Sequence, residues 1–117
     1  MTLTAPMPRR AEVWIATLEP VLGHEQGGRR PCLVVSTDRF NQGPTELVVL
    51  LAITSRARPI PLYVLIQPPE GGLQHQSAIM CDQIRTAARE RLLRRLGHVT
   101  ASTMDAVESR LRDLLQL

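Results

Sequence analysis

Between Gly23 and Ser36 the chain places a histidine, a glutamate, a glutamine and two arginines directly ahead of an apolar run: Gly23-His24-Glu25-Gln26-Gly27-Gly28-Arg29-Arg30-Pro31, then Cys32 to Val35. Such a loop carries charge to the mouth of a buried strand. Gly27 and Gly28 permit positive φ and close approach of a backbone or ligand. Pro31, with fixed φ and no N–H, belongs at the first residue or at the edge of the strand it enters. The chain is thereby steered tightly around Arg30, whose guanidinium suits two-point recognition of a phosphate or a carboxylate. A connection with merely solvated arginines has the same pattern.

Two further stretches carry chemistry. Leu47 to Ile53 is an unbroken apolar run, as expected of a strand covered on both faces, and it stops at Thr54-Ser55, where hydroxyls replace methyls. Those hydroxyls either bond local backbone or are left for a ligand. Arg56 to Pro61 follows as a basic, proline-punctuated loop that offers Arg56 and Arg58 to solvent or to a nucleic acid backbone. Ser77 to Thr86 is strand-like yet contains Asp82. Aspartate is depleted in strands, so Asp82 needs a partner, such as a nearby arginine, or a task.

The elements that must position these groups follow from periodicity. Ala11 to Leu18 alternates as a first strand, stopped by Glu19-Pro20, with Trp14 in the core or an interface. Pro31 to Ser36 is the second strand and Thr37 to Thr45 a turn rich in Asp, Asn, Gly and Pro. Leu47 to Ile53 is the third strand and Leu62 to Ile66 the fourth, followed by a loop through Pro68, Pro69, Gly71 and Gly72. Ser77 to Thr86 is the fifth. Ala87 to Leu96 fits a helical face, but one helical turn and then a short strand from Arg94 to Val99 suits a compact barrel better. Ser102 to Leu117 is the clearest helix, with Ser102 and Asp105 as a capping box and Met104, Val107, Leu111, Leu114 and Leu115 as its apolar face. The expected architecture is mainly β with α, in the α+β class: a small barrel with a C-terminal helix. Residues 1–10 are expected to form a flexible N-terminal segment and residues 11–117 a single domain.

Composition narrows the partners. A chain of 117 residues supports one core, and with 44% hydrophobic residues but only Trp14, Phe40 and Tyr63 as aromatics that core is aliphatic. Stacking platforms for single-stranded nucleic acid are poorly supplied. All 14 basic side chains are arginine, and the net charge of +3 permits a polyanionic partner without requiring one. Cys32 and Cys81 lie in separate apolar runs and read as buried free thiols. No CxxC, HExxH or carboxylate cluster is present, so neither a metal nor another cofactor is expected. No signal-peptide core or long apolar span appears, which makes a cytoplasmic protein with no membrane association the default.

Taken in order, Ala11-Glu12-Val13-Trp14, Gly23-His24-Glu25-Gln26, Arg30-Pro31, Ile53-Thr54-Ser55 and Cys81-Asp82-Gln83-Ile84-Arg85-Thr86 resemble the MazF/PemK (Kid) family of toxin endoribonucleases. The similarity runs from about Glu12 to Leu115. It implies an SH3-like β-barrel, a homodimer and metal-independent cleavage of single-stranded RNA at a short sequence. It also implies a cognate antitoxin whose C-terminal segment covers the RNA site. By the same resemblance Arg30 and Thr54 match the site pair of one branch, and His24 and Asp82 the histidine and aspartate of the Kid-like branch. That reading makes Arg30 the phosphate cation, Thr54 an orienting hydroxyl, and His24 or Asp82 the base, with His24 able instead to supply the acid. Glu25, Gln26, Ser55, Arg56, Arg58, Gln83 and Arg85 are expected as RNA contacts, some of the arginines serving the antitoxin instead. The Kid-like branch has an arginine two residues before its aspartate, where this chain has Met80, so the acid must lie elsewhere or be absent. Two other readings stay open: a CcdB-like toxin that poisons DNA gyrase by protein binding, and an RNA-binding relic without catalysis.

Overall fold

The computed structural model describes residues 7–18, 23 and 28–117. Six strands are present: β1 Glu12–Thr17, β2 Arg29–Val34, β3 Leu47–Thr54, β4 Tyr63–Ile66, β5 Ser77–Ala88 and β6 Leu92–His98. Two helices accompany them, a one-turn α1 Asp38–Asn41 and the long α2 Ala101–Leu115. The strands form one antiparallel sheet in the order β4-β5-β3-β2-β1-β6.

Strand alternation divides the core in two. Val13, Leu33, Leu51, Ile53 and Ile79 pack with Met104 and Val107 of α2. Their sequence neighbours Trp14, Cys32, Val34, Leu50, Ala52 and Met80 form a second cluster on the other face. This is why β3 reads as continuously apolar: it contributes to both clusters. Trp14 is a core residue, 5% exposed, with its indole N–H donated to Glu12 Oε1 at 3.0 Å.

Several expectations need correction. The α+β class holds, but the sheet is open rather than a closed barrel, with β4 and β6 as its edges among the described residues. Where a closing ladder would run, a 3-10 turn at Glu70–Gly72 lies against β6 instead. The crossing is tight: a Cβ on Gly72 would stand 2.0 Å from Leu96 O, and one on Gly97 2.8 Å from Gly72 N. Backbone lies on backbone there, so no side chain fits on either side.

β2 begins at Arg29, so Pro31 is its third residue and not its first. The β2–β3 ladder starts only at Cys32, so at Pro31 the strand is laddered to β1 alone and the missing N–H is tolerated. The turn expected at residues 37–45 contains α1, capped by the Thr37 hydroxyl, which accepts from Phe40 N at 3.3 Å. One 3-10 turn, Arg89–Arg91, precedes β6, which starts at Leu92, two residues ahead of the expected Arg94.

The helix cap also moves. Thr100 is the N-cap of α2, its Oγ1 accepting from Thr103 N at 3.1 Å. The acidic half of the cap comes from Glu70, whose carboxylate accepts from Thr100 N at 3.0 Å and from Thr103 Oγ1 at 2.5 Å. A residue distant in sequence thus takes the Thr100 N–H while Thr100 takes that of Thr103, and Ser102 and Asp105 fall inside the helix. Met104, Val107 and Leu111 face the core as expected, while Leu114 and Leu115 remain 39% and 49% exposed.

Of the N-terminal segment expected to be flexible, Arg10 is firmly engaged. Its backbone N–H donates to Asp38 Oδ1 at 2.7 Å, and its guanidinium bonds Val35 O and pairs with Glu108 at 2.6 Å. One residue, through its main chain and its guanidinium, so joins α1, the end of β2 and α2.

Candidate functional site

The register of the sheet explains which of the predicted residues meet. Ala16 stands opposite Arg30, Ile15 opposite Pro31 and Arg94, and Thr54 opposite Ala78. Cys32 pairs with Ala52, and continuing that antiparallel register by two residues brings Arg30 level with Thr54. Two residues far apart in the chain are therefore neighbours at one end of the sheet.

At that end lies an open cleft of about 660 Å³. Ile15, Pro31, Ile53, Leu73 and Leu96 form its apolar part. Arg30, Thr54, Ser55, Arg56 and Arg94 enter from the strand ends, and Gln74, His75 and Ser77 supply a polar wall. Three guanidinium groups around one cleft, with no Asp or Glu among its described lining residues, make it an anion site by charge and by donor geometry.

Thr54 does what the simpler reading of its hydroxyl allows, accepting Arg56 N at 3.1 Å. That bond occupies an oxygen lone pair and leaves the O–H free to be donated into the cleft. It also ties Arg56 to the strand end. The wall is fixed in a similar way: Ser77 Oγ donates to His75 O at 2.9 Å, Leu73 is buried, and Glu70 is bound to the α2 cap. An exposed imidazole is thus carried on a braced segment.

Other predicted residues do not converge here. Between the pairs Ile53–Ile79 and Leu51–Ile84, the four residues Met80 to Gln83 are set against Ala52 alone, so β5 bulges at that point. Asp82 and Gln83 lie in this bulge, outside the cleft lining. Asp82 is exposed and makes no ion pair among the described residues, so the structural salt bridge considered for it is not formed. Bulges re-aim side chains, which removes this carboxylate from the alternation of its strand. Arg85 donates to Leu18 O at 3.1 Å, holding the end of the first strand segment. Arg58 lies in the exposed loop after β3, outside the cleft. His24, Glu25 and Gln26 lie outside the described residues.

Gln74, His75, Ser77 and Arg94 are cleft residues that sequence reasoning passed over. Arg94 belongs to the segment whose helix or strand character was ambiguous, so its register could not be derived. His75 sits in a polar loop between a Gly-Gly pair and a strand, and a lone histidine in such a loop is the one signal the sequence offers.

A second open groove, about 700 Å³, lies elsewhere on the molecule and is lined by Met7, Trp14, Leu47, Leu92 and Leu93 with Glu46, Arg89 and Glu90. Both cysteines are free and buried. Burial pushes the Cys32 thiol up to about 12, opposed by the nearby Arg30 and Arg85 guanidinium groups, and the Cys81 thiol up to about 11, opposed by Arg110. Among the described residues no three His, Cys, Asp or Glu side chains converge on a metal-sized site, and no helix is long and apolar enough to cross a membrane.

A profile of PemK-like, MazF-like toxins of type II toxin-antitoxin systems matches residues 9–115. The chain is 37% identical over 116 residues to the endoribonuclease MazF9 of Mycobacterium tuberculosis, with 95% of this chain and 98% of that protein covered. It is 36% identical over 110 residues to the endoribonuclease EndoA of Bacillus subtilis, covering 93% and 95%. Its fold is similar to that of MazF from Deinococcus radiodurans, with a TM-score of 0.86 at 31% identity, covering 97% of this chain and 100% of that one. A mycobacterial endoribonuclease solved in complex with its cognate antitoxin matches with a TM-score of 0.77 at 31% identity, covering 94% and 96%.

Proposed function

Because the chain belongs to the PemK-like, MazF-like toxins of type II toxin-antitoxin systems, we propose that it cuts single-stranded RNA in the arginine-lined cleft, without a metal. The observation that carries this is the meeting of Arg30 and Thr54 at the strand ends, with Arg56 and Arg94 beside them. In metal-free cleavage the ribose 2′-oxygen attacks its own 3′-phosphorus and the P–O5′ bond breaks. The products are a 2′,3′-cyclic phosphate and a 5′-hydroxyl. DNA lacks the nucleophile, so RNA selectivity is built into the reaction.

Each residue then has a defined part. Arg30 stays charged and forks toward two phosphate oxygens, so it stabilises the extra charge of the pentacoordinate phosphorus. Thr54, its oxygen already accepting from the backbone, points its hydroxyl proton at a phosphate oxygen. Ser55, Arg56 and Arg94 hold the strand on either side. His24 takes the 2′-proton by virtue of its residue type, because Asp82 stands outside the cleft. Met80 is buried in the second core cluster, 1% exposed, so this chain has a packing residue where the Kid-like branch has its arginine, and the acid must come from another residue.

The protein acts as a cytoplasmic homodimer, and a cognate antitoxin silences it by laying its C-terminal segment over the cleft. A gyrase poison acting by protein contact has no use for guanidinium and hydroxyl groups gathered in one cleft. The test is incubation with a long single-stranded RNA and a matching DNA in EDTA, with end mapping. Discrete RNA fragments with 5′-OH ends and intact DNA are expected. Uncut RNA across several sequences would sink the reading, and inhibition of gyrase in an RNA-free assay would replace it.

A further inference from the structure

We propose that His75 is the proton donor to the leaving 5′-oxygen, an assignment that rests on the ribonuclease reading of the cleft. The cleft supplies positive charge in abundance but very little acidity. Arg30 from β2, Arg56 from the loop after β3 and Arg94 from β6 face this space, and no carboxylate lines it among the described residues. Guanidinium groups stabilise a phosphorane and ease ionisation of the 2′-hydroxyl, yet they do not give up a proton at physiological pH. The hydroxyls of Thr54, Ser55 and Ser77 and the amide N–H groups of Gln74 are far too weakly acidic. Cys32 and Cys81 are buried and lie outside the lining. His75 is the one described lining residue whose side chain type exchanges protons near neutrality.

The step needs such a group. As the 2′-oxygen closes on phosphorus, the electron pair of the P–O5′ bond moves onto O5′, an alkoxide that leaves poorly unless protonated. The imidazolium of His75 gives that proton and becomes neutral, and the proton taken from the 2′-hydroxyl balances the exchange. The position suits the task. His75 is exposed, so an RNA strand reaches it, while its main chain is held by the Ser77 hydroxyl and its loop by the Glu70 anchor and the glycine crossing. In-line displacement puts the leaving 5′-oxygen opposite the attacking 2′-oxygen, so the leaving group needs a donor of its own, and His75 lines the cleft from a different segment than Arg30, Arg56 and Arg94.

The test uses two RNA strands that differ at one atom: a normal one, and one whose scissile 5′-oxygen is replaced by sulfur, which leaves as a thiolate without protonation. On the normal strand His75→Ala and His75→Gln should both slow cleavage by about 10²-fold or more. On the sulfur strand both should cut within about threefold of the parent protein, as expected when the lost contribution is acid catalysis. Binding of a 2′-O-methyl strand should be unchanged, which separates proton donation from a positioning role of the wall. Equal loss on both strands, or no loss on either, overturns the assignment alone. A parent protein that cuts neither strand overturns the ribonuclease reading, and this assignment with it.

Discussion

Two open grooves among the described residues are nearly equal in size, about 660 and 700 Å³, and different in character. One gathers Arg30, Arg56 and Arg94 with hydroxyl groups at the strand ends. The other is walled by Trp14, Leu92, Leu93 and Met7, with Glu46, Arg89 and Glu90 of mixed sign. Size and apolar lining alone would favour the second, since small-molecule sites are usually apolar. A polyanionic substrate reverses that preference: what matters is how many fixed donors can reach phosphate oxygens while the reacting atoms stay exposed to them. The difference teaches that a pocket's chemistry, more than its volume, selects the site.

The comparison breaks first at Arg30. Arg30→Ala should lower the cleavage rate by about 10²–10³-fold, the cost of losing one transition-state donor, while thermal melting shows the fold intact. Leu93→Asp in the apolar groove should leave cleavage of naked RNA unchanged. If the two variants trade places in a kinetic assay, the grooves have been assigned the wrong way round. Thr54→Val removes one hydrogen bond to a charged group, worth about 1.5–3 kcal/mol, so a fall of about 10–100-fold is expected in single-turnover rate.

Smaller effects sharpen the picture. Arg56→Gln and Arg94→Gln should each reduce the slope of log affinity against log salt by about one, measured on an uncleavable 2′-O-methyl strand. Unchanged slopes would remove these arginines from the phosphate track. Glu70→Ala should lower stability by about 1 kcal/mol through loss of its part in the α2 cap, seen as a melting temperature down by a few degrees. Thiol reagents should have no effect on cleavage near neutral pH, because both cysteines are buried and protonated. Their raised values set the sign of an alkaline effect. The folded state holds the Cys32 proton up to about pH 12 against an ordinary value of 9.0, so this stability is intact below pH 9 and is lost as pH rises toward 12. Cys32→Ala should flatten that part of the alkaline unfolding curve.

The strands and the long helix were legible because alternation and the apolar run of β3 are local signals that tertiary packing reinforces. What escaped was non-local. Closure of the sheet depends on whether β4 and β6 meet, and the crossing of Gly72 over Leu96 and Gly97 that takes the place of a ladder has no periodic signature. Thr100 caps α2 with help from Glu70, a partner that no local window contains. Arg30 and Thr54 were paired by resemblance to a family and are brought together by the strand register. Asp82 followed the same resemblance but lies in a bulge, and His75 was hidden in a loop whose wall-forming role exists only once the sheet is assembled.

The glycine crossing has a consequence for how this protein diversifies. At Gly72 and Gly97 any substituent collides with main chain, so the root of the cleft wall admits no variation. Two to four residues on, Gln74, His75 and Gln76 are exposed, and exchanging the two glutamines disturbs nothing in the core. The segment is thus an immovable stem with a replaceable tip. New cleavage preferences are most accessible through randomisation of Gln74 and Gln76 with His75 kept, a library in which most members should keep the parent fold and its proton donor.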